Sequence, residues 1–174
     1  MAHRYCALML LILAAPVTAS RASVPDGYRQ VAAQAGIPAN VLYAVALTES
    51  GSRLHHGVRP WPWTLNVAGK SWRYATRQQA CTALLQFMRT HDPKRIDAGL
   101  GQINLGWNGQ FFPAPCDALS PYRNLRITAR LLREHYEKQH NWPEAVGRYH
   151  HPAGGIHARH YRQKVISRLR QLSS

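Results

Sequence analysis

The chain has 174 residues and carries 22 Lys plus Arg against 8 Asp plus Glu, a formal net charge of +14 with Arg in large excess over Lys. Its length bounds it to about one domain. So basic a chain favours an anionic partner, whether nucleic acid, an anionic cell-wall polymer or a membrane surface; the plainer alternative is charge that only keeps the protein soluble.

Met1 to Cys6 form a basic start, Ala7 to Ala15 a short apolar run, and small residues follow around Ala19 and Ala22. That order describes a secretory signal peptide over residues 1–22, cleaved after Ala19 or Ala22, and the run is too short to span a bilayer. Cys6 has no lipidation pattern around it. The expectation is an exported, periplasmic protein whose single domain covers residues 23–174, with membrane attachment only if the signal is uncleaved. Export argues against nucleic acid as the primary ligand. Without Cys6 two cysteines remain, Cys81 and Cys116. In an oxidising compartment they form either a disulfide, worth about 3 to 4 kcal/mol by chain entropy, or two separate buried thiols. Two cysteines alone do not make a structural zinc site.

Asp26 is placed to cap a short helix through Ala35, and Gly36 to stop it. Pro38 then opens an apolar helix as a first-turn proline, with Leu42, Val45, Ala46 and Glu49 on one stripe and Gly51 as the stop. Bulky and small residues alternating around Ala68-Gly69-Lys70 predict a β-hairpin. Thr76 and Gln79 read as a capping box for a helix whose core face is Cys81, Leu84, Leu85 and Met88. His91 to Pro115 reads as loop. Ser120-Pro121 starts the longest helical pattern, with Leu125, Ala129, Leu132 and Tyr136 on one face and its end near His140. Asn141 caps a short helix through Tyr149, and a basic amphipathic segment from Ile156 to Leu172 carries Tyr161, Val165, Ile166 and Leu169. The architecture expected is one mainly α domain with a small β-hairpin.

Chemistry narrows to few residues because the chain has only 8 carboxylates. Asp26, Asp117 and Glu144 fit capping or first-turn positions, Glu134 and Glu137 the charged side of the long helix, and Asp92 a loop before proline. Glu49 and Asp97 remain. A carboxyl on an apolar helical face near the helix C-terminus is pushed toward its neutral form by burial and by the helix dipole, which is what a general acid near neutral pH requires. Asp97 either supplies the second acidic group of a two-carboxylate glycosidase or caps a turn.

Glu49-Ser50, Gly99-Leu-Gly-Gln-Ile-Asn104 and Ala145-Val-Gly-Arg-Tyr149, in that order, resemble the three signatures of the soluble lytic transglycosylase family, relatives of goose-type lysozyme. The inserted Trp61-Pro-Trp-Thr-Leu-Asn-Val-Ala-Gly69 resembles members attached to conjugative, type IV secretion or pilus systems. The likeness covers roughly residues 27 to 152. It implies a lysozyme-like helical fold and cleavage of the bond between N-acetylmuramic acid and N-acetylglucosamine, with Glu49 as acid and then base and a 1,6-anhydro sugar as product. It further implies substrate contacts from Ser50, Gly99, Leu100, Gln102, Asn104 and Tyr149, no cofactor, peptidoglycan strands as substrate, and secretion, conjugation or pilus proteins as partners.

Glycines 99 and 101 permit unusual backbone angles and close approach, while Gln102 and Asn104 offer donors and acceptors to acetamido and hydroxyl groups; the alternative is an ordinary turn. Tyr149 either holds Glu49 or substrate, or is a core tyrosine. Ser50 either orients substrate or caps the helix end. His150 departs from the asparagine usual in the family. Trp61, Trp63, Trp72, Trp107 and Trp142 read mostly as core, with sugar stacking as the alternative. His55, His56, His150, His151, His157 and His160 lack a ligand motif, so no metal is expected. The competing functions are a lysozyme-type hydrolase, a basic peptidoglycan-binding assembly protein without turnover, and an exported nucleic-acid binder.

Overall fold

The computed structural model describes residues 23–55 and 57–173. The signal peptide expected over residues 1–22 lies outside them, as does His56. Helix α1 (Asp26–Ala35) has Pro25, not Asp26, at its cap; Asp26 sits in the first turn and pairs with Arg29. A carboxylate there still meets the positive end of the helix dipole. Gly36 ends the helix at φ 64°, its N–H reaching the Ala32 and Ala33 carbonyls. Helix α2 (Ala39–Ser50) begins one residue after Pro38, which occupies the cap position rather than the first turn. Every residue from Val41 to Leu47 is buried, so α2 is a core helix enclosed on all sides instead of a single apolar stripe. It packs on α1 and on two later helices, α5 (Pro121–Gln139) and α7 (Gly155–Ser173).

The chain leaves α2 directly into an antiparallel hairpin, β1 (Gly51–Leu54) and β2 (Gly57–Pro60). Its short, largely exposed strands have no apolar alternation by which the sequence could announce them. The expected hairpin follows as β3 (Thr64–Val67) and β4 (Lys70–Arg73), turning through Ala68 and Gly69 at φ 52° and 87°. Two positive φ values match the twist that a two-residue hairpin needs. Two further strands, β5 (Ile96–Ala98) and β6 (Ile103–Asn104), extend it to a four-stranded antiparallel sheet of order β4-β3-β5-β6. They lie in the stretch that reads as loop, and Asp97 is a β5 residue, not a turn cap.

Helix α3 (Arg77–Thr90) is capped by Thr76, whose hydroxyl accepts the Gln79 N–H at 3.2 Å. Its core face is Ala80 and Leu84 with Phe87 and Met88 beside them, while Leu85 turns outward at 43% exposure, contrary to the periodicity. Cys81 in α3 is disulfide-bonded to Cys116 in the 3-10 turn Pro115–Leu119, with Cα atoms 5.2 Å apart. After β6 comes a one-turn helix, α4 (Leu105–Asn108). In α5 the predicted face is buried at Leu125, Ala129 and Leu132, and Tyr136 stacks on Trp142 at 4.2 Å. Helix α6 (Trp142–His150) is capped by the Asn141 side chain, and α7 buries Ala158, Tyr161 and Val165.

Two hydrophobic cores result. One joins α1, α2, α5, α6 and α7; the other joins β3, β5, β6, α3 and the turns before α5. Tyr149 packs against both. The fold is mainly α with a small β insertion, and the seam between its cores positions the site.

Candidate active site

Glu49 is in the last turn of α2, where the helix reaches that seam. Facing it, the 99–104 loop is held by groups that are themselves buried. Asn124 of α5, with no exposed surface, donates to the carbonyls of Ala98 at 2.9 Å and Ala118 at 2.8 Å and accepts the Gly101 N–H at 2.8 Å. So close is the loop to α5 that a Cβ on Gly99 would strike the Asn124 amide, and one on Gly101 the Thr128 hydroxyl. Gly99 also needs its φ of 81°. Tyr149 donates its hydroxyl to the Gly101 carbonyl at 2.6 Å. That hydroxyl therefore holds the loop. Burial, and secondarily the charge of Glu49, raise its pKa far above the usual tyrosine range.

Several residues assigned to substrate by resemblance are occupied inside the protein. Ser50 is fully buried, its Oγ 3.0 Å from the Ala46 carbonyl and 2.8 Å from that of Leu100, tying α2 to the loop. Leu100 is a core side chain, packed with α2 and α5. Asn104 donates to Asp97 Oδ1 and to the Lys94 carbonyl, both at 2.8 Å, and its Oδ1 accepts the N–H groups of Gly106 and Trp107. An amide so engaged has no capacity left. Gln102, at φ 47°, donates to the carbonyls of Gly99 at 2.8 Å and Thr64 at 3.1 Å, leaving its own amide oxygen to offer.

The cleft has a volume of about 810 Å³, and its lining includes Glu49, Asp97, Gln102, Trp107, Tyr149 and His150. A smaller cavity of about 330 Å³ lies beyond His150, lined by Thr48, His157, His160, Tyr161 and Lys164; Glu49 and His150 border both. The Glu49 side chain is 14% exposed. Burial pushes its carboxyl up to about 7; the Tyr161 hydroxyl and Lys164 oppose that push and Asp97 reinforces it. Asp97 is itself raised by burial and lowered by the Asn104 hydrogen bond.

Tyr161 is a neighbour of Glu49 that its sequence position does not reveal. Its buried hydroxyl meets no partner at strict hydrogen-bond geometry, yet it faces Glu49 closely enough for each to alter the other's ionisation. In sequence it is simply one apolar-face residue in step with Ala158 and Val165. The His150 ring stacks on Tyr161 at 4.4 Å with a 4° interplanar angle, and its Nδ1 is 3.9 Å from Glu49 Oε1, beyond a hydrogen bond. Burial, then Lys164 and the neighbouring histidines, lower the His150 pKa.

Trp61, Trp63, Trp72 and Trp142 pack against other aromatic rings, whereas Trp107 stands 64% exposed on the cleft wall. Among the described residues no three or more His, Cys, Asp or Glu side chains gather as a metal site. No protein-family model, curated protein or solved structure matches the chain.

Proposed function

We propose that the protein is a peptidoglycan lytic transglycosylase, a glycosidic bond lyase in which Glu49 is the general acid and then the base. One observation carries the reading: a carboxyl almost withdrawn from water, in the wall of an open cleft, with its pKa raised to about 7. A carboxyl raised that far can hold a proton near neutral pH, and the group that gives it can take one back. Glu49 donates its proton to the oxygen joining N-acetylmuramic acid to N-acetylglucosamine, and the bond from the muramyl C1 to that oxygen breaks. The substrate's N-acetyl oxygen stabilises the positive charge at C1, so no protein nucleophile is needed. The Glu49 carboxylate then accepts the proton of the muramyl C6 hydroxyl as O6 bonds to C1, closing the 1,6-anhydro ring.

In this reading Tyr161 positions the carboxylate, the Tyr149 hydroxyl fixes the loop across the cleft, and the Gln102 amide oxygen accepts from an acetamido or hydroxyl group. The basic surface suits an anionic cell-wall polymer. The setting proposed is the periplasm, where the enzyme would open the wall locally for a secretion, conjugation or pilus apparatus.

A second reading has one specific observation in its favour. Asp97 lines the same cleft and acts electrostatically on Glu49, as the second carboxylate of a lysozyme-type hydrolase would. Digestion of peptidoglycan sacculi followed by mass spectrometry separates the two. Glu49-dependent anhydro ends are the expected product; reducing ends would transfer the assignment to hydrolysis, with Asp97 activating water. Sacculus binding without soluble product, unchanged in Glu49→Gln, would replace both with a wall-binding assembly protein.

A further inference from the structure

Trp107 is a large apolar side chain left in water, and the protein holds it there. Its helix α4 has only four residues and is fixed by one side chain, Asn104, whose Oδ1 accepts from the Gly106 and Trp107 N–H groups at 3.1 and 3.2 Å. The Asn104 amide is anchored in turn to Asp97 and to the Lys94 carbonyl, both at 2.8 Å. Gly106 lies so near the Lys94 backbone that a Cβ would not fit, and the Lys94 ammonium sits 4.3 Å over the indole centroid. A cation there occupies one face of the ring and fixes its plane. Trp107 is nonetheless 64% exposed, on the wall of the cleft that contains Glu49, and Asn108 lines the same cleft.

A pyranose ring presents a face of C–H groups edged by hydroxyls. A rigid aromatic plane in a cleft that also carries amide side chains offers the matching apolar surface and hydrogen-bonding groups. We infer that Trp107 is a carbohydrate-stacking platform, a subsite for a hexopyranose of the glycan strand away from the bond cut at Glu49. This rests on the glycan-cleaving reading above. It also gives Asn104 a role, since its saturated amide builds the platform instead of touching sugar.

The test is equilibrium binding of purified glycan strands to Glu49→Gln and to Glu49→Gln/Trp107→Ala, with thermal melting as the check on folding. Trp107→Ala should weaken binding about tenfold at unchanged melting temperature, and Trp107→Phe should restore most of it. With Glu49 intact, the loss in kcat/KM should be carried by KM. Equal affinity of the two Glu49→Gln proteins would overturn the platform and leave the proposed reaction standing. Absence of any strand binding by the parent would overturn both. Weakened strand binding in a protein that proves not to cleave would uphold the platform and sink only the reaction.

Discussion

The two cores solve the problem of cohesion differently, and each gives the site what its construction allows. The helical core is built around α2, whose residues from Val41 to Leu47 are all buried by surrounding helices. The sheet core has strands of two to four residues, 3-10 turns and one long helix, and it is fastened by the Cys81–Cys116 bond. A carboxyl at the end of α2 therefore meets rigid apolar surroundings that raise its pKa. The sheet side, with Asp97, Gln102 and Trp107, supplies polar and aromatic groups to the cleft. In the proposed reading the acid stands on one core and much of the ligand contact on the other, with Tyr149 joined to both.

The sharpest way to break that division is Glu49→Gln. Cleavage should fall by about a thousandfold or more, because general acid–base transfer alone contributes roughly 100- to 10,000-fold. The same substitution has a stability signature with a definite sign. Folding raises the Glu49 pKa from 4.5 to about 7, so below pH 4.5 the group is protonated in both states and costs nothing. As pH rises toward 7 the unfolded chain gains by ionising and the native protein does not, a loss reaching about 3 kcal/mol. Glu49→Gln does not titrate and should gain on wild type by about that amount between pH 4 and pH 8 in denaturant melts. No pH dependence in the difference would mean that the helical core does not impose the shift.

The contrast between stapled and unstapled cores predicts the next effect. Replacing Cys81 and Cys116 by Ser should cost about 2 to 5 kcal/mol, since the bond closes a separation of 35 residues. Hydrogen exchange should rise first in β3, β5 and α3 while the α2 amides stay protected. Uniform loosening would show that the cores are one cooperative unit. At the seam itself, Gly101→Ala should cost about 1 to 3 kcal/mol, as the new methyl must displace the Thr128 hydroxyl from its bond to the Asn124 carbonyl. A melting temperature equal to wild type would mean that the loop is not clamped as described.

Legibility differs between the cores for the same reason. Helices α1, α3, α5, α6 and α7 are visible from caps and 3.6-residue periodicity because each is long enough to show a period. β5, β6 and α4 are too short to carry one, so that stretch reads as loop, and β1 and β2 lack the apolar alternation that would announce them. At the site, the position of Glu49 is visible because a carboxylate interrupts an apolar helix. What cannot be read is which polar groups are already spent. Ser50 and Asn104 have the right chemistry for sugar contact, but their partners, the Leu100 and Lys94 carbonyls, are supplied by tertiary packing. Tyr161 is hidden by the opposite error: its apolar spacing announces a core ring and says nothing of where the hydroxyl points.

The subtlest test of the division is Tyr161→Phe. The hydroxyl is buried without a strict partner and acts to lower the Glu49 pKa against the larger push of burial. Removing it takes away a hydroxyl that has no strictly aligned partner, so stability should change little, while the ring and its stack on His150 remain. The Glu49 pKa should move up, and the alkaline limb of kcat/KM, which reports loss of the proton from the free enzyme's acid, should move to higher pH with it. A merely structural tyrosine would change the melting temperature and leave that limb in place. A limb that moves to lower pH would mean that the hydroxyl stabilises the protonated carboxyl instead of the carboxylate.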